Sequence, residues 1–349
     1  MTVAVAYAHS TASVPSFLIA LCQPGAERAL KAEAARFGLA SSFQRPGFVT
    51  LKRDSDTDVD ELKGAPPLVF ARHLGLSLGK LDGSLHDVVT QLLASKADRL
   101  HVVAARTGED SDVARANDAA ADALRTKLLQ ASEGALSAQE EAHGSELVAT
   151  VVLVDSDRWL SLHRADAART PFPGGRPRLT LPAHAPSRAW LKIEEATRLF
   201  AIPFDVGERA VEIGAAPGGA ALALLDRGLE VIGVDPGDMA AAVAAHPRFA
   251  HLKSTSPSVD PRRLEPIQWL LLDANVPPRT ALRGALPFVT AHAESLQGFV
   301  FTLKMKEWAI AVEVDDWLAS IRAAAPDFDV QARQLWSNGK EICVVGGLP

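Results

Sequence analysis

Cysteine is scarce and forms no pattern: only Cys22 and Cys343 occur, each inside an apolar run. Two isolated cysteines build neither a disulfide framework nor a zinc site. Such sparing use suits a reducing compartment, so a cytoplasmic location is expected. An excess of basic charge is also missing, the formal net charge being −6. That excludes a chain that grips nucleic acid over its whole surface, and any anion-binding surface must be a local patch. Long hydrophobic runs are absent too. The apolar stretch 17–22 is far shorter than the roughly 20 residues that span a bilayer. The first basic residue is Arg28, so no signal peptide is read, and residues 1–14 are expected to be a loose extension. The ten histidines are scattered without metal-ligand spacing, so no metal is expected. No internal repeat is found, and oligomeric state is not legible.

What is present is an ordinary globular composition, 48% hydrophobic and 22% charged, over 349 residues, enough for two or three domains. Residues 15–64 read as strand, helix, strand, a small α+β unit. The strand is 17–22; the helix, 26–37, carries Ala26, Leu30 and Phe37 on one face; Gly38 stops it, and the second strand is 47–51. Residues 66–163 form a second unit. Its expected strands are Leu68-Val69-Phe70-Ala71, 101–104, 146–155 and 159–162. Its expected helices surround 88–93 and 114–131, and a polar loop covers 132–145. Residues 164–186 are an arginine- and proline-rich linker. Arg164, Arg169, Arg176 and Arg178, with Arg188 just beyond, face one acid, Asp166, in the most basic stretch of an acidic chain.

From 187 to 349 strands and helices alternate as in a parallel α/β sheet. Strands are expected at 210–213, 230–234, 267–272 and 298–303, and helices at 218–227 and 308–324. The end reads as a hairpin, 329–336 and 341–345, turning at Ser337-Asn338-Gly339-Lys340. A doubly wound sheet closing in an antiparallel hairpin is the methyltransferase variant of this class. Strand 210–213 runs into Gly214-Ala215-Ala216-Pro217-Gly218-Gly219, where a ligand can approach the backbone and a helix N-terminus can hold a carboxylate. The next strand ends at Asp235, placed to accept from a ribose diol. Strand, loop, helix, strand and acid together point to S-adenosylmethionine (SAM). The bland alternative is a tight turn without a ligand, and the spacing differs from the dinucleotide pattern Gly-x-Gly-x-x-Gly.

Methyl transfer to a sugar hydroxyl needs a base or a strong polariser held in line with the methyl group. Lys192, Asp273, Lys304 and Glu341 lie at suitable places, Asp273 and Lys304 at carboxyl ends of strands. Taken singly, each could be a solvated strand-end charge, and Lys306 and Lys340 are near enough to be confused with the active groups.

In this order, the four residues around the glycine loop resemble the Lys-Asp-Lys-Glu tetrad of FtsJ-type RNA ribose 2′-O-methyltransferases. The segments 182–196 and 331–335, with Cys22-Gln23-Pro24-Gly25 and Val69-Phe70-Ala71-Arg72, are similar to the RlmM family. The resemblance implies a Rossmann-like SAM methyltransferase domain at 187–349. It implies a ferredoxin-like subdomain at 15–64 and a THUMP-like RNA-binding domain at 66–163. It also implies methylation of the ribose 2′-hydroxyl of a cytidine in large-subunit (23S) ribosomal RNA. By position, Lys304 acts on the hydroxyl, Lys192 tunes it and helps hold RNA, and Asp273 and Glu341 orient the lysines. Ser187, Glu212, the loop 214–219, Asp235 and Asp273 would bind SAM, and Arg176, Arg178 and Arg188 would bind RNA. Three positions depart from the family pattern: Glu212 replaces Asp, Ala220 replaces Trp, and Thr255 stands where a carboxylate is expected. The rival reading is a catalytically weak or inactive RNA-binding protein of the same fold, and a weaker one is a small-molecule methyltransferase.

Overall fold

The computed structural model describes residues 17–53, 68–105, 112–165 and 170–348. Residues 1–14, Asp166 and Arg169 lie outside these. The N-terminal half runs β1 (Phe17–Leu21), α1 (Glu27–Arg36), β2 (Ala40–Arg45), β3 (Phe48–Lys52), β4 (His73–Lys80), α2 (Leu85–Ala94), β5 (Arg99–Ala104), α3 (Asp112–Ala131), β6 (Leu147–Val154) and β7 (Asp157–Arg164). These strands form one seven-stranded sheet in the order β2-β3-β1-β4-β7-β6-β5. Its ladders are antiparallel except β5–β6. The β1–β4 ladder, from Leu18 opposite Leu76 to Leu21 opposite His73, joins the stretches 15–64 and 66–163 in a single sheet.

The C-terminal half runs α4 (Ala189–Phe200), β8 (Arg209–Ile213), α5 (Gly219–Asp226), β9 (Glu230–Val234), α6 (Ala241–Ala244), β10 (Phe249–Leu252), β11 (Trp269–Leu272), α7 (Pro278–Ala291), β12 (Gly298–Lys304), α8 (Val314–Ala324), β13 (Asp329–Arg333) and β14 (Glu341–Gly347). The sheet order is β10-β9-β8-β11-β12-β14-β13. The strands β8 to β12 are parallel, and β14 is antiparallel to both β12 and β13. This is the expected doubly wound sheet ending in an antiparallel hairpin. Parallel strands are covered on both faces and so read as unbroken apolar runs. Leu270 and Leu272 of β11 enter the core on one face, Trp269 and Leu271 that on the other. The strand order reverses between β8 and β11, which opens a crevice at the carboxyl ends of these two strands.

Three local expectations are corrected. Leu68-Val69-Phe70-Ala71 is a buried turn, not a strand, and β4 begins at His73. The run is apolar because it is packed between the halves. Its Val69 and Phe70 amides donate to the Glu33 carboxylate at 2.7 and 3.2 Å. The Val69 carbonyl accepts from the Gln334 amide at 2.8 Å. The final hairpin is not closed by a tight Asn-Gly turn: β13 stops at Arg333, opposite Cys343, and residues 334–340 form a broad loop. The expected helix 308–324 is a 3-10 segment, Trp308–Glu313, followed by α8. The sequence reading also offered no counterpart of β2, β10, α4, α6 or α7.

Candidate active site

Lys192 lies in the first turns of α4. Asp273 follows β11, its amide bonded to the Ile213 carbonyl of β8 at 2.9 Å. Lys304 ends β12 and Glu341 opens β14, and the two are directly opposite in the antiparallel ladder. Residues from four elements therefore meet at one end of the sheet. Lys192 Nζ lies 3.1 Å from Asp273 Oδ2 and 2.8 Å from Glu341 Oε2. Lys304 Nζ lies 3.0 Å from Asp273 Oδ1 and donates to the Asp273 carbonyl at 3.1 Å. The four side chains are only 13–19% exposed. Burial works against the charge of Lys192, but Asp273 and Glu341 together outweigh it and hold the ammonium above its ordinary range. Lys306 and Lys340, the rival lysines, are exposed and form no ion pair with these acids among the described residues.

The glycine loop borders the same crevice. Gly214 has φ +82°, and a Cβ there would lie 2.5 Å from Ala274 Cα, so the loop runs against the residue after Asp273. A Cβ on Gly219, which opens α5, would collide with the Ser187 hydroxyl. Ser187 thus closes one side of the helix start. Ala215 is buried, and the Ala216–Pro217 peptide is cis. The Asp235 carboxylate accepts from the amides of Ala216, at 3.1 Å, and Gly237, at 2.6 Å. It anchors the loop as well as standing at the tip of β9. Glu212 is 1% exposed in the middle of β8, and its Oε2 has no hydrogen-bond partner among the described residues. Burial first, then the Asp273 and Asp235 carboxylates, push its carboxyl well above the ordinary range. Ala220 is buried in α5, while Thr255 is exposed and bonded to Ser258.

This cradle suits the parts of SAM. A glycine turn against backbone and an N–H-rich helix start can receive the methionine end, and a strand-tip carboxylate can receive the ribose. Glu212, buried in β8 just before the loop, leaves its Oε2 without a partner among the described residues.

The three arginines line a separate cavity of about 400 Å3 beside α4, with Arg72 and Trp336. Arg176 pairs with Asp118 at 2.6 Å, its guanidinium 4.6 Å above the Trp336 ring. Arg178 pairs with Asp122 at 2.9 Å and Glu140 at 2.7 Å. Arg188 is exposed at the start of α4 and forms no ion pair among the described residues. Two of the three thus already face acids of the N-terminal half. Sequence reasoning missed Asn338, whose Nδ2 donates to Glu341 Oε2 at 3.3 Å. It was read as a turn residue, and the Asn-Gly pair gave no hint of a contact three residues on. Arg72 and Glu195, which hold the same loop, were missed as well.

Among the described residues no helix is long and apolar enough to cross a membrane. The FtsJ-like methyltransferase family matches residues 185–291, a span that holds Lys192, the glycine loop and Asp273. The ribosomal RNA large subunit methyltransferase M of Marinobacter nauticus is 31% identical, over 93% of this chain and 97% of that protein. The protein of the same name from Tolumonas auensis is 29% identical, over 94% of each chain. With its tetrad assembled and its length matched nearly end to end, the chain belongs to the family of ribosomal RNA large subunit methyltransferase M.

Proposed function

We propose that this chain transfers the methyl group of SAM to the ribose 2′-oxygen of a cytidine in large-subunit (23S) ribosomal RNA. The observation that carries the reading is the convergence of Lys192, Asp273, Lys304 and Glu341 beside the glycine loop at the carboxyl ends of β11 and β12. When bound, SAM supplies a methyl group made electrophilic by its sulfonium. Ser187, Glu212, Gly214, Ala215, Ala216, Pro217, Gly218, Gly219, Asp235 and Asp273 form its cradle. A ribose hydroxyl is a poor nucleophile, and Lys304 in its neutral form would take its proton as the 2′-oxygen bonds the methyl carbon and the carbon–sulfur bond breaks, a neutral thioether leaving. Lys192, paired with two carboxylates, is the fixed cation that favours the neutral form of Lys304 and helps hold the RNA. Asp273 contacts both lysines and so sets the distance between them, and Glu341 fixes Lys192 from the other side. Residues 15–64 and 66–163 form the RNA-holding half, and Arg176, Arg178 and Arg188 add a local cluster of cations for RNA phosphates beside it.

The test is Lys304→Ala assayed on 23S RNA with labelled SAM. Methyl transfer is expected to fall by about 100-fold or more, with SAM affinity kept. Methylation at the native rate would overturn the assignment of Lys304. No calorimetric SAM binding by the unmodified chain at millimolar concentration would favour an RNA-binding protein without catalysis.

A further inference from the structure

Residues 334–340, which lead into Glu341, are held from both sides by buried charge. From the N-terminal half comes Arg72, only 6% exposed. Its Nη2 donates to the Leu335 carbonyl at 2.9 Å and the Asn338 carbonyl at 3.1 Å, and its guanidinium lies 5.0 Å over the Trp336 ring. From α4 comes Glu195, 2% exposed, which accepts from the amides of Trp336 at 2.6 Å and Ser337 at 2.8 Å. A cation thus takes the carbonyls of the loop and an anion takes its amides. Burying a guanidinium is costly, and among the described residues Arg72 has no carboxylate within salt-bridge distance. Burial, the larger influence, lowers its pKa to about 10, still charged at neutral pH.

The held loop ends on the reacting groups. Asn338, 2% exposed, accepts from the Leu335 amide at 3.1 Å through Oδ1 and donates to Glu341 Oε2 at 3.3 Å through Nδ2. That same Glu341 oxygen receives Lys192 at 2.8 Å. Gln334 and Arg333 add bonds to the Val69 and Leu68 carbonyls at 2.8 and 3.0 Å, so the loop is fastened to the N-terminal half along its first residues.

We infer that Arg72 and Glu195 are positioning residues for methyl transfer: by clamping residues 334–340 they set Asn338, and through it Glu341, against Lys192. The N-terminal half thereby completes the catalytic site as well as holding RNA. The inference rests on the tetrad reading above.

Single-turnover methylation by the full chain, at saturating RNA and SAM, tests it. Arg72→Met should slow the step about tenfold, since small misplacements of a positioning contact cost rate rather than affinity. The Kd values for RNA and SAM should stay within about twofold, and Arg72→Lys, which can still donate to the carbonyls, should recover much of the rate. The decisive arm is the cycle with Glu341→Gln. If Arg72 acts through Glu341, Arg72→Met costs less than about twofold in that background. An equal loss in both backgrounds, or a native rate for Arg72→Met, overturns the inference. Should Arg72→Met not fold, Asn338→Ala removes both the acceptor for Leu335 and the donor to Glu341 without adding charge; it should show the same loss and the same non-additivity. Lys304→Ala is run alongside. If that variant is inactive while Arg72→Met is normal, only the clamp fails; if it is fully active, the tetrad reading fails first.

Discussion

Glu212 sits in the middle of β8 with Gly233 of β9 and Leu271 of β11 on either side. Its neighbours at the strand ends, Asp273 and Asp235, are both acids. Burial and these two charges leave the folded protein holding a proton that the unfolded chain gives up near pH 4.3. The folded value is the higher one, so the stabilisation is fully present below the unfolded value and is lost as pH rises towards the folded value. Between the two, the native protein should lose about 1.4 kcal/mol per pH unit from this residue. Glu212→Gln has no such proton. Urea midpoints at pH 5, 6.5 and 8 should therefore show the variant gaining on the native chain as pH rises, and a constant gap would refute the buried, protonated carboxyl. The position of Glu212 could be read from the sequence, but its protonation could not, because Asp273 and Asp235 approach it only when three strands align. The tetrad was legible for the opposite reason: Asp273, Lys304 and Glu341 stand at the ends of strands that the apolar runs reveal, and Lys192 lies in the segment 182–196 that carries the family resemblance. Arg72 and Glu195 act on partners that sequence spacing does not bring together, and Asn338 was hidden by its reading as a turn residue.

The loop between β8 and α5 shows what an element contributes beyond its side chains. Gly214 combines a left-handed backbone with a close approach to Ala274. Gly38, beyond α1, has φ +74° with nothing within 4 Å of its would-be Cβ. An alanine at either position carries backbone strain of about 1–3 kcal/mol, but only Gly214→Ala must also push on the residue that follows Asp273. Gly214→Ala should weaken SAM binding and slow methyl transfer by at least about tenfold each. Gly38→Ala should lower the melting temperature alone. Equal activity in the two variants, measured by calorimetry and by the methylation assay, would show that the close approach does not matter. The central strands of the second sheet were legible because they are buried on both faces, whereas β10, half-exposed at its edge, was not. β2 was not: its pattern is almost wholly exposed at the sheet edge, without apolar alternation. The apolar run 68–71 misled for the converse reason, since burial between two halves gives the same composition as burial in a strand.

Across the whole molecule, the two sheets share one core. Leu18, Leu30, Leu51 and Phe70 of the N-terminal half belong to the same buried cluster as Phe299, Phe301, Leu303 and Trp317 of the C-terminal half. Trp308 carries the join: its ring meets Phe70 edge-on at 6.3 Å, and a Cβ on Gly25 would lie 2.9 Å from its Nε1. Arg36 and Asp315 add an ion pair between α1 and α8. It is exposed, so the apolar contact is the main tie. Chains of this length with separate domains often unfold in steps. A core that crosses between the halves, together with the buried Arg72 contacts, argues for a single step here, because neither half can open without exposing the apolar surface of the other. Scanning calorimetry should give one endotherm, and SAM at 100 times its Kd should add about 2.7 kcal/mol and move that endotherm as a unit. Trp308→Ala should split it, leaving SAM to raise only the part that contains residues 187–349. Two resolved transitions in the unmodified chain, with SAM shifting one of them, would mean that the shared core does not couple the halves.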